Sequence, residues 1–396
     1  MAIESFGTER AARKLRLGMV GGGRGAFIGA VHRMSARLDD KWDIVAGALS
    51  ANAENARQSA DDLGIAADRA YTSWEEMAKI EGSRDDGIDA VSIVTPNHLH
   101  FGPAKTFMEN GIHVICDKPM TMNLQEAQDL ANIARKTGVI FVLTQNNTGY
   151  PMVRQARQMV ADGTLGTIQV IRVSYAQDWL TTPLDQDGQK QAAWRTDPKY
   201  AGAGGSIGDI GVHAFNLASF ISGLELDDVC ADLRSYVPGR KLDDNANVLL
   251  RYKGGASGTL WSSQVAPGNY NRLSIGIYGT KGGLKWGGED NDNLFYTPLG
   301  EPMRCITRGG PGAMEVAHRA TRMPPRHPEG YIEGFANLYS KAAELIWARK
   351  DGRPPDPFAT DLPTVEDGVL GLAFIEACVA SSQKGGVWTK ASVTRP

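Results

Sequence analysis

Cysteine is scarce. The four cysteines among 396 residues, Cys116, Cys230, Cys305 and Cys378, are scattered without the paired spacing of a zinc finger. That usage fits a chain kept in a reducing, cytoplasmic compartment. The seven histidines include no His-x-x-x-His pair, so a helical zinc site has no support and no metal is expected. No apolar run reaches the ~20 residues of a membrane span. Met1 to Lys14 is polar, lacks the apolar segment of a secretory signal, and reads as an N-terminal arm. A net charge of −3 gives no basic surface for nucleic acid or an anionic membrane. No tandem repeat or low-complexity tract is present.

What is there is ordinary globular composition, with 42% hydrophobic and 22% charged residues and a length comfortable for two domains. The pivotal stretch is Ile112 to Met120, where an apolar strand, Val114 to Cys116, runs into Asp117-Lys118-Pro119. Proline cannot donate to a sheet ladder, so the strand stops there. That leaves Lys118 at the carboxyl end of a parallel strand, where open α/β sheets bind ligands. Upstream, the strand at residues 15–20 is followed by Gly21-Gly22-Gly23-Arg24-Gly25-Ala26. This is a G-x-G-x-x-A dinucleotide fingerprint, with a helix over 27–38 to present its N-terminus to a pyrophosphate. Gly29 looks like the residue that should follow the fingerprint, so Ala26, Phe27 and Ile28 read as an insertion. It places Arg24 and Phe27 differently over the phosphates.

A second strand, residues 42–49, ends at Ser50, where an Asp or Glu is expected to bind the adenosine ribose. Ser50 can take that ribose or cap the next helix. Arg57 or Arg33 can face a 2′-phosphate, so the choice between NAD and NADP stays open. A strand at 88–94 ends in Thr95-Pro96-Asn97-His98-Leu99-His100. Thr95, Pro96, Asn97 and His100 are therefore candidates beside the nicotinamide ribose, joined by Asp117, Lys118 and, after the last strand of this half, Gln145. Strand and helix alternate from residue 15 to 143, which predicts a doubly wound parallel sheet in a domain spanning 1–147.

From residue 148 the texture changes. Strands with two-residue alternation are expected at 169–176, 229–237, 246–252, 258–264 and 273–278, with helices at 334–349 and 365–382. They predict an α+β domain, 148–396, built on a large, open, mostly antiparallel sheet. One bare face of that sheet is expected to join a second copy. Between the strands lies Gly202 to His213. Asp209 and His213, four apart, share one helix face, and a His beside a carboxylate can hold one tautomer and take a proton near neutral pH. Trp194 and Arg195 offer an aromatic wall and a cation.

Taken together, Gly21-Gly22-Gly23, Thr95-Pro96-Asn97-His98, Asp117-Lys118-Pro119, Trp194-Arg195 and Gly208-Asp209-Ile210-Gly211-Val212-His213 resemble the motifs, in order, of the Gfo/Idh/MocA family of NAD(P)-dependent sugar and inositol oxidoreductases. The family usually has Glu-Lys-Pro where this chain has Asp117, and often an acid at Ser50. The insertion Ala26–Ile28 and the segment Arg326 to Gly330 resemble a less characterised branch. The resemblance implies oxidation of a ring secondary alcohol of a sugar, glycoside or inositol, with NAD as hydride acceptor. It implies His213 as general base, Lys118 polarising the oxygen, and Asp209 orienting His213 or binding a neighbouring hydroxyl. It adds Trp194 and Arg195 near the cofactor, and Asn147, Tyr150, Arg195 and His327 as substrate contacts. Two other readings stay open: an NAD-dependent glycosidase that oxidises the sugar transiently at C3 before elimination, and a catalytically silent dinucleotide sensor.

Overall fold

The computed structural model describes residues 13–391 and 393. The expected N-terminal arm falls almost wholly outside them. The described residues form two compact units. One takes the residues up to Thr121 with Gln125–Gly149 and Tyr331–Gly368; the other takes Met122–Leu124, Tyr150–Gly330 and the residues from Val369 on.

The first unit is a parallel sheet of β1 (Leu15–Gly21), β2 (Trp42–Ala48), β3 (Ala90–Val94), β4 (His113–Cys116) and β5 (Phe141–Leu143), in the order β2-β1-β3-β4-β5. An isolated parallel bridge between Gly47 and Ala70 extends the β2 edge. β3 and β4 are buried at every position, as strands covered on both faces must be. That burial explains their near-continuous apolar sequence.

Where a single division at residues 147 and 148 was expected, the contacts place the helix Tyr331–Lys350, with the residues on to Gly368, in the first unit and Met122–Leu124 in the second. Leu338, Tyr339, Ala342 and Ile346 of that helix share a core with Leu15, Leu17, Trp42 and Ile44. Truncating such a Leu or Ile to Ala costs roughly 2–5 kcal/mol. Polar bonds fix the register. Tyr339 Oη lies 2.8 Å from His32 Nδ1 and 2.8 Å from Ser92 Oγ, and Trp42 Nε1 donates to the Tyr339 carbonyl at 3.0 Å. Periodicity announces an amphipathic helix here but cannot say which sheet it covers.

The second unit is a nine-stranded sheet: β6 (Ile168–Gln177), β7 (Leu226–Arg234), β8 (Asn245–Tyr252), β9 (Ser257–Ser263), β10 (Asn271–Gly279), β11 (Gly282–Gly287), β12 (Asn293–Pro298), β13 (Arg304–Thr307) and β14 (Thr389–Lys390). The order is β13-β12-β11-β10-β6-β9-β8-β7-β14, antiparallel throughout except for β6 beside β9. Strands β11 to β14 were not anticipated; β11 is glycine-rich and the others are short, mixed segments with little alternation. β8 shows the rule of the sheet: Ala246, Val248 and Leu250 are buried, while Asn247, Leu249 and Arg251 face outward. The inner face packs against the largely buried helix Val212–Ser222, whose Phe215 stacks on Phe374 at 4.5 Å.

Candidate active site

In the first unit the fingerprint forms a cradle at the carboxyl end of β1. Gly21, Gly22 and Gly25 have φ of 78°, 74° and 77°, values that side chains resist. The helix Phe27–Leu38 then begins, and a Cβ on Gly29 would stand 2.3 Å from Gly22 Cα. Gly29 therefore performs the close helix-to-strand packing that the fingerprint assigns to its third small residue. The loop before it is three residues longer than the motif requires. A cavity of about 450 Å³ lies between this loop and Ser59 and Asp62 of the helix Ala53–Leu63.

The predicted cofactor residues divide. Gly21, Gly23, Gly25 and Ala26 make the turn, with Ala26 N donating to Gly23 O at 3.1 Å. Phe27 is 70% exposed beside the cavity, whereas Ile28 packs against the core, so its side chain is a structural contact. Arg24 is bound by Asp62 and Gln58. Ser50 accepts from Asn52 N and Asn55 Nδ2, both at 3.2 Å, while Asn52 itself caps the helix. Arg57 is exposed.

At the carboxyl ends of β3 and β4, Thr95 Oγ1 donates to Leu99 O at 2.9 Å, and Pro96 and Asn97 begin a short 3-10 turn. His100 corrects an expectation. It is 1% exposed, and its ring nitrogens lie 2.7 Å from Pro119 O and 2.8 Å from Thr95 O. A neutral imidazole has one N–H and donates to one of the two carbonyls, and the buried ring packs between the two strand-end loops rather than facing a cofactor. Burial lowers its pKa, against the pull of Asp117 and the two carbonyls.

Asp117 Oδ1 accepts from Lys118 N and from Thr144 Oγ1, each at 2.9 Å. Burial by itself raises this carboxyl; His32, Lys118, His100 and the Thr144 bond outweigh it and hold the group below its ordinary value. Burial pushes His32 down to about 4, so it is neutral near pH 7 and Lys118 carries the effect there. Lys118 thus stands at the end of β4 beside a carboxylate, as predicted. Beyond β5, Gln145 and Asn147 are buried in a polar turn. Gln145 Oε1 and Asn146 Nδ2 have no partner among the described residues. Orphaned amides at the carboxyl end of a parallel strand, with a glycine cradle three strands away in the same sheet, fit a dinucleotide.

In the second unit, Asp209 lies in a π-helical turn, Ile207–Gly211, that leads into the helix carrying His213. Such turns recur at functional sites. Asp209 Oδ2 accepts from Gln264 Nε2 at 2.8 Å and is 3.5 Å from Arg195 Nε. Arg195 lies 4.2 Å from the Trp194 ring centroid and donates to Gln191 Oε1 at 2.5 Å. His213 is buried, its ring 6.0 Å from Tyr175, whose hydroxyl donates to Asn271 Oδ1 at 2.8 Å. Tyr150 packs on Trp286 at 5.5 Å. His327 is elsewhere in role: its side chain is exposed on its own loop, 3.3 Å from Pro325 O, while its carbonyl receives buried Arg308.

Sequence reading missed Tyr175, Gln264 and above all Asp243. Asp243 accepts from Gly205 N at 2.7 Å and Ile207 N at 2.8 Å, and its carbonyl accepts from Ser206 N at 2.7 Å. One residue thus holds three successive amides ahead of the π turn. Burial raises its carboxyl to about 6. Its only sequence signal is an acidic pair in a loop. Among the described residues no group of three or more His, Cys, Asp or Glu is arranged to hold a metal ion, and no helix is long and apolar enough to cross a membrane.

Residues 15–146 match the oxidoreductase family with the NAD-binding Rossmann fold, and residues 153–285 match the GFO/IDH/MocA C-terminal domain. The chain belongs to the Gfo/Idh/MocA family. Among solved structures it is similar to an oxidoreductase from Sinorhizobium meliloti, at 50% identity and TM-score 0.87, covering 96% of this chain and 100% of that one. It is also similar to an inositol dehydrogenase homologue from Azotobacter vinelandii complexed with NADH and myo-inositol, at 33% identity and TM-score 0.88, covering 96% and 98%. A levoglucosan dehydrogenase from Pseudarthrobacter phenanthrenivorans is 27% identical over 71% of this chain and 76% of its own. The first unit is an NAD-binding Rossmann domain, and the homologues are dehydrogenases of the inositol and sugar type.

Proposed function

We propose that this protein is an NAD-dependent dehydrogenase that oxidises a ring secondary hydroxyl of a sugar, glycoside or inositol. The observation that carries the reading is Lys118, set beside Asp117 at the carboxyl end of β4 in the same sheet as the glycine cradle. Bound NAD supplies the hydride acceptor. Lys118 donates a hydrogen bond to the reacting oxygen and stabilises the alkoxide as it develops. His213 takes the hydroxyl proton, and Asp209, anchored by Gln264 and Arg195, orients it or binds a neighbouring hydroxyl. Asn147, Tyr150 and Arg195 contribute donors, acceptors and aromatic surface of the kind a polyol requires. The exposed face of the second unit's sheet joins a second copy in this reading.

The test is a panel of cyclic polyols, sugars and glycosides with NAD, followed at 340 nm. Stoichiometric NADH from a free polyol supports the reading. Release of an aglycone without net NADH sinks it in favour of redox-neutral glycoside cleavage. NAD binding without turnover on the whole panel sinks it in favour of a sensor. In the His213→Ala variant the alkaline rise of kcat/KM should vanish; a retained rise places the base elsewhere.

A further inference from the structure

We infer that Asp62 selects NAD over NADP, by occupying Arg24 and by placing a carboxylate in the cavity beside the fingerprint. The question arises because the usual device is missing. β2 ends at Ala48, and the next residues, Leu49, Ser50, Ala51 and Asn52, include no acid to receive a ribose hydroxyl and repel a 2′-phosphate. Ser50 is already engaged by Asn52 N and Asn55 Nδ2.

The candidate cations are accounted for one by one. Arg33 also borders the cavity, but its Nη1 donates to Gly22 O at 2.5 Å, which ties it to the glycine turn, where it serves the phosphates common to both cofactors. Arg57 stands two residues before Ser59, roughly 200° around the helix from the face that meets the cradle. Arg24 remains. It follows the second glycine of the motif, and its backbone N–H donates to Ser59 Oγ at 3.0 Å. Three of its five guanidinium N–H groups are engaged within the loop and helix. Nε and Nη2 donate to the two Asp62 oxygens at 2.5 and 2.7 Å, and Nη1 donates to Gln58 Oε1 at 2.6 Å.

A bidentate pair of this kind uses one fork of the guanidinium and offsets its charge, which weakens arginine as a phosphate receptor. It also leaves Asp62 among the residues bordering the cavity. Asp61 adds a second negative charge acting on Arg24. A 2′-phosphate dianion therefore meets a carboxylate and a neutralised arginine, whereas a 2′-hydroxyl meets an acceptor. Both partners are about half exposed, at 48% and 49%, so the pair does little for stability and its consequence is local charge. The inference concerns cofactor choice alone and does not depend on which alcohol is oxidised.

The test is direct binding without substrate, by fluorescence titration of NADH and NADPH. The proteins are the wild type, Asp62→Asn, Asp62→Ala and the double variant Arg24→Ala/Asp62→Asn. The wild type should bind NADH at least about tenfold tighter than NADPH, the scale of one charge-assisted hydrogen bond. Either single variant should tighten NADPH by roughly tenfold, with a gain that shrinks as salt rises, while Asp62→Ala should weaken NADH by up to about tenfold and Asp62→Asn, which keeps an acceptor oxygen, by less. The double variant should lose the gain. A wild type without preference for NADH overturns the inference. So does an unchanged ratio in both single variants, or a gain that survives removal of Arg24. Equal loss of both cofactors in single variants of unaltered Tm overturns it too, since Asp62 would then shape the cradle for either one.

Discussion

In the first unit the candidate site takes its shape from backbone. Gly21, Gly22 and Gly25 adopt conformations that side chains resist, Gly29 lets the helix touch the turn, and His100 packs between the carbonyls of two loops. In the second unit the shape comes from carboxylates. Asp243 gathers the amides of Gly205, Ser206 and Ile207, and Asp209 is held between Gln264 and Arg195. A backbone-built site tolerates loss of side chains but not their addition. A carboxylate-built site behaves the other way round, and it answers to pH.

The sharpest break in that comparison is Lys118→Ala. If the cradle is backbone, removing this side chain leaves cofactor binding intact and strikes the chemistry alone. The expected loss is about 10²- to 10⁴-fold in kcat, the range for a group acting on a proton or charge in the transition state. The NADH dissociation constant should stay within about threefold, well under the tenfold that 1.4 kcal/mol represents. Turnover unaltered by the substitution would remove Lys118 from the reaction.

The same contrast explains what could be read from sequence. Glycines at positive φ, a proline ending β4 and strict alternation in β8 are local demands on residue type, so the Rossmann sheet, Lys118 and the open sheet were all legible. Asp209 and His213 stand out as candidates because four residues separate them. Asp243 does not, because it meets its partners from 36 to 38 residues away in the chain, through backbone amides that any residue carries. Tyr339 and His32 lie 307 apart, and nothing local to either announces the other. His100 was read as a functional group, and its position in the motif was right. Only the two carbonyls around its ring show that it is a brace.

A smaller effect comes from paired glycine substitutions. Gly29→Ala forces a Cβ to within 2.3 Å of Gly22 Cα and 2.5 Å of Gly22 O, both backbone, so the cradle must open. Overpacking of this kind costs about 1–3 kcal/mol, and NADH affinity should fall by roughly tenfold or more. Gly208→Ala, beside Asp209, meets nothing within 4 Å and should leave stability and NADH binding unchanged. Titrations of both variants check the pair. Equal tolerance at the two positions would show that the close approach at Gly29 is not what holds the turn.

The last contrast is in stability against pH, where buried groups of the two units respond with opposite sign. His32 is pushed from 6.5 down to about 4 by burial. Between those values the unfolded chain binds the proton and the native one does not, so the first unit gains stability as pH rises through that window. Asp243 is pushed from 3.8 up to about 6, again by burial. There the native state holds the proton and the unfolded chain does not, so the second unit loses stability as pH rises. Each displacement corresponds to about 3 kcal/mol at most; buried His113, likewise pushed down to about 4, adds to the first unit's rise, so a global measurement mixes opposing slopes. Amide exchange separates them. Peptides covering β3 should become better protected from pH 4 to 6.5, and His32→Phe should flatten that slope, since Ser92 and Tyr339 still bond each other at 2.8 Å. Peptides covering residues 205–213 should become less protected from pH 4 to 6, and Asp243→Asn should flatten the opposite slope. Slopes of the same sign in the two peptide sets would show that burial does not govern both groups.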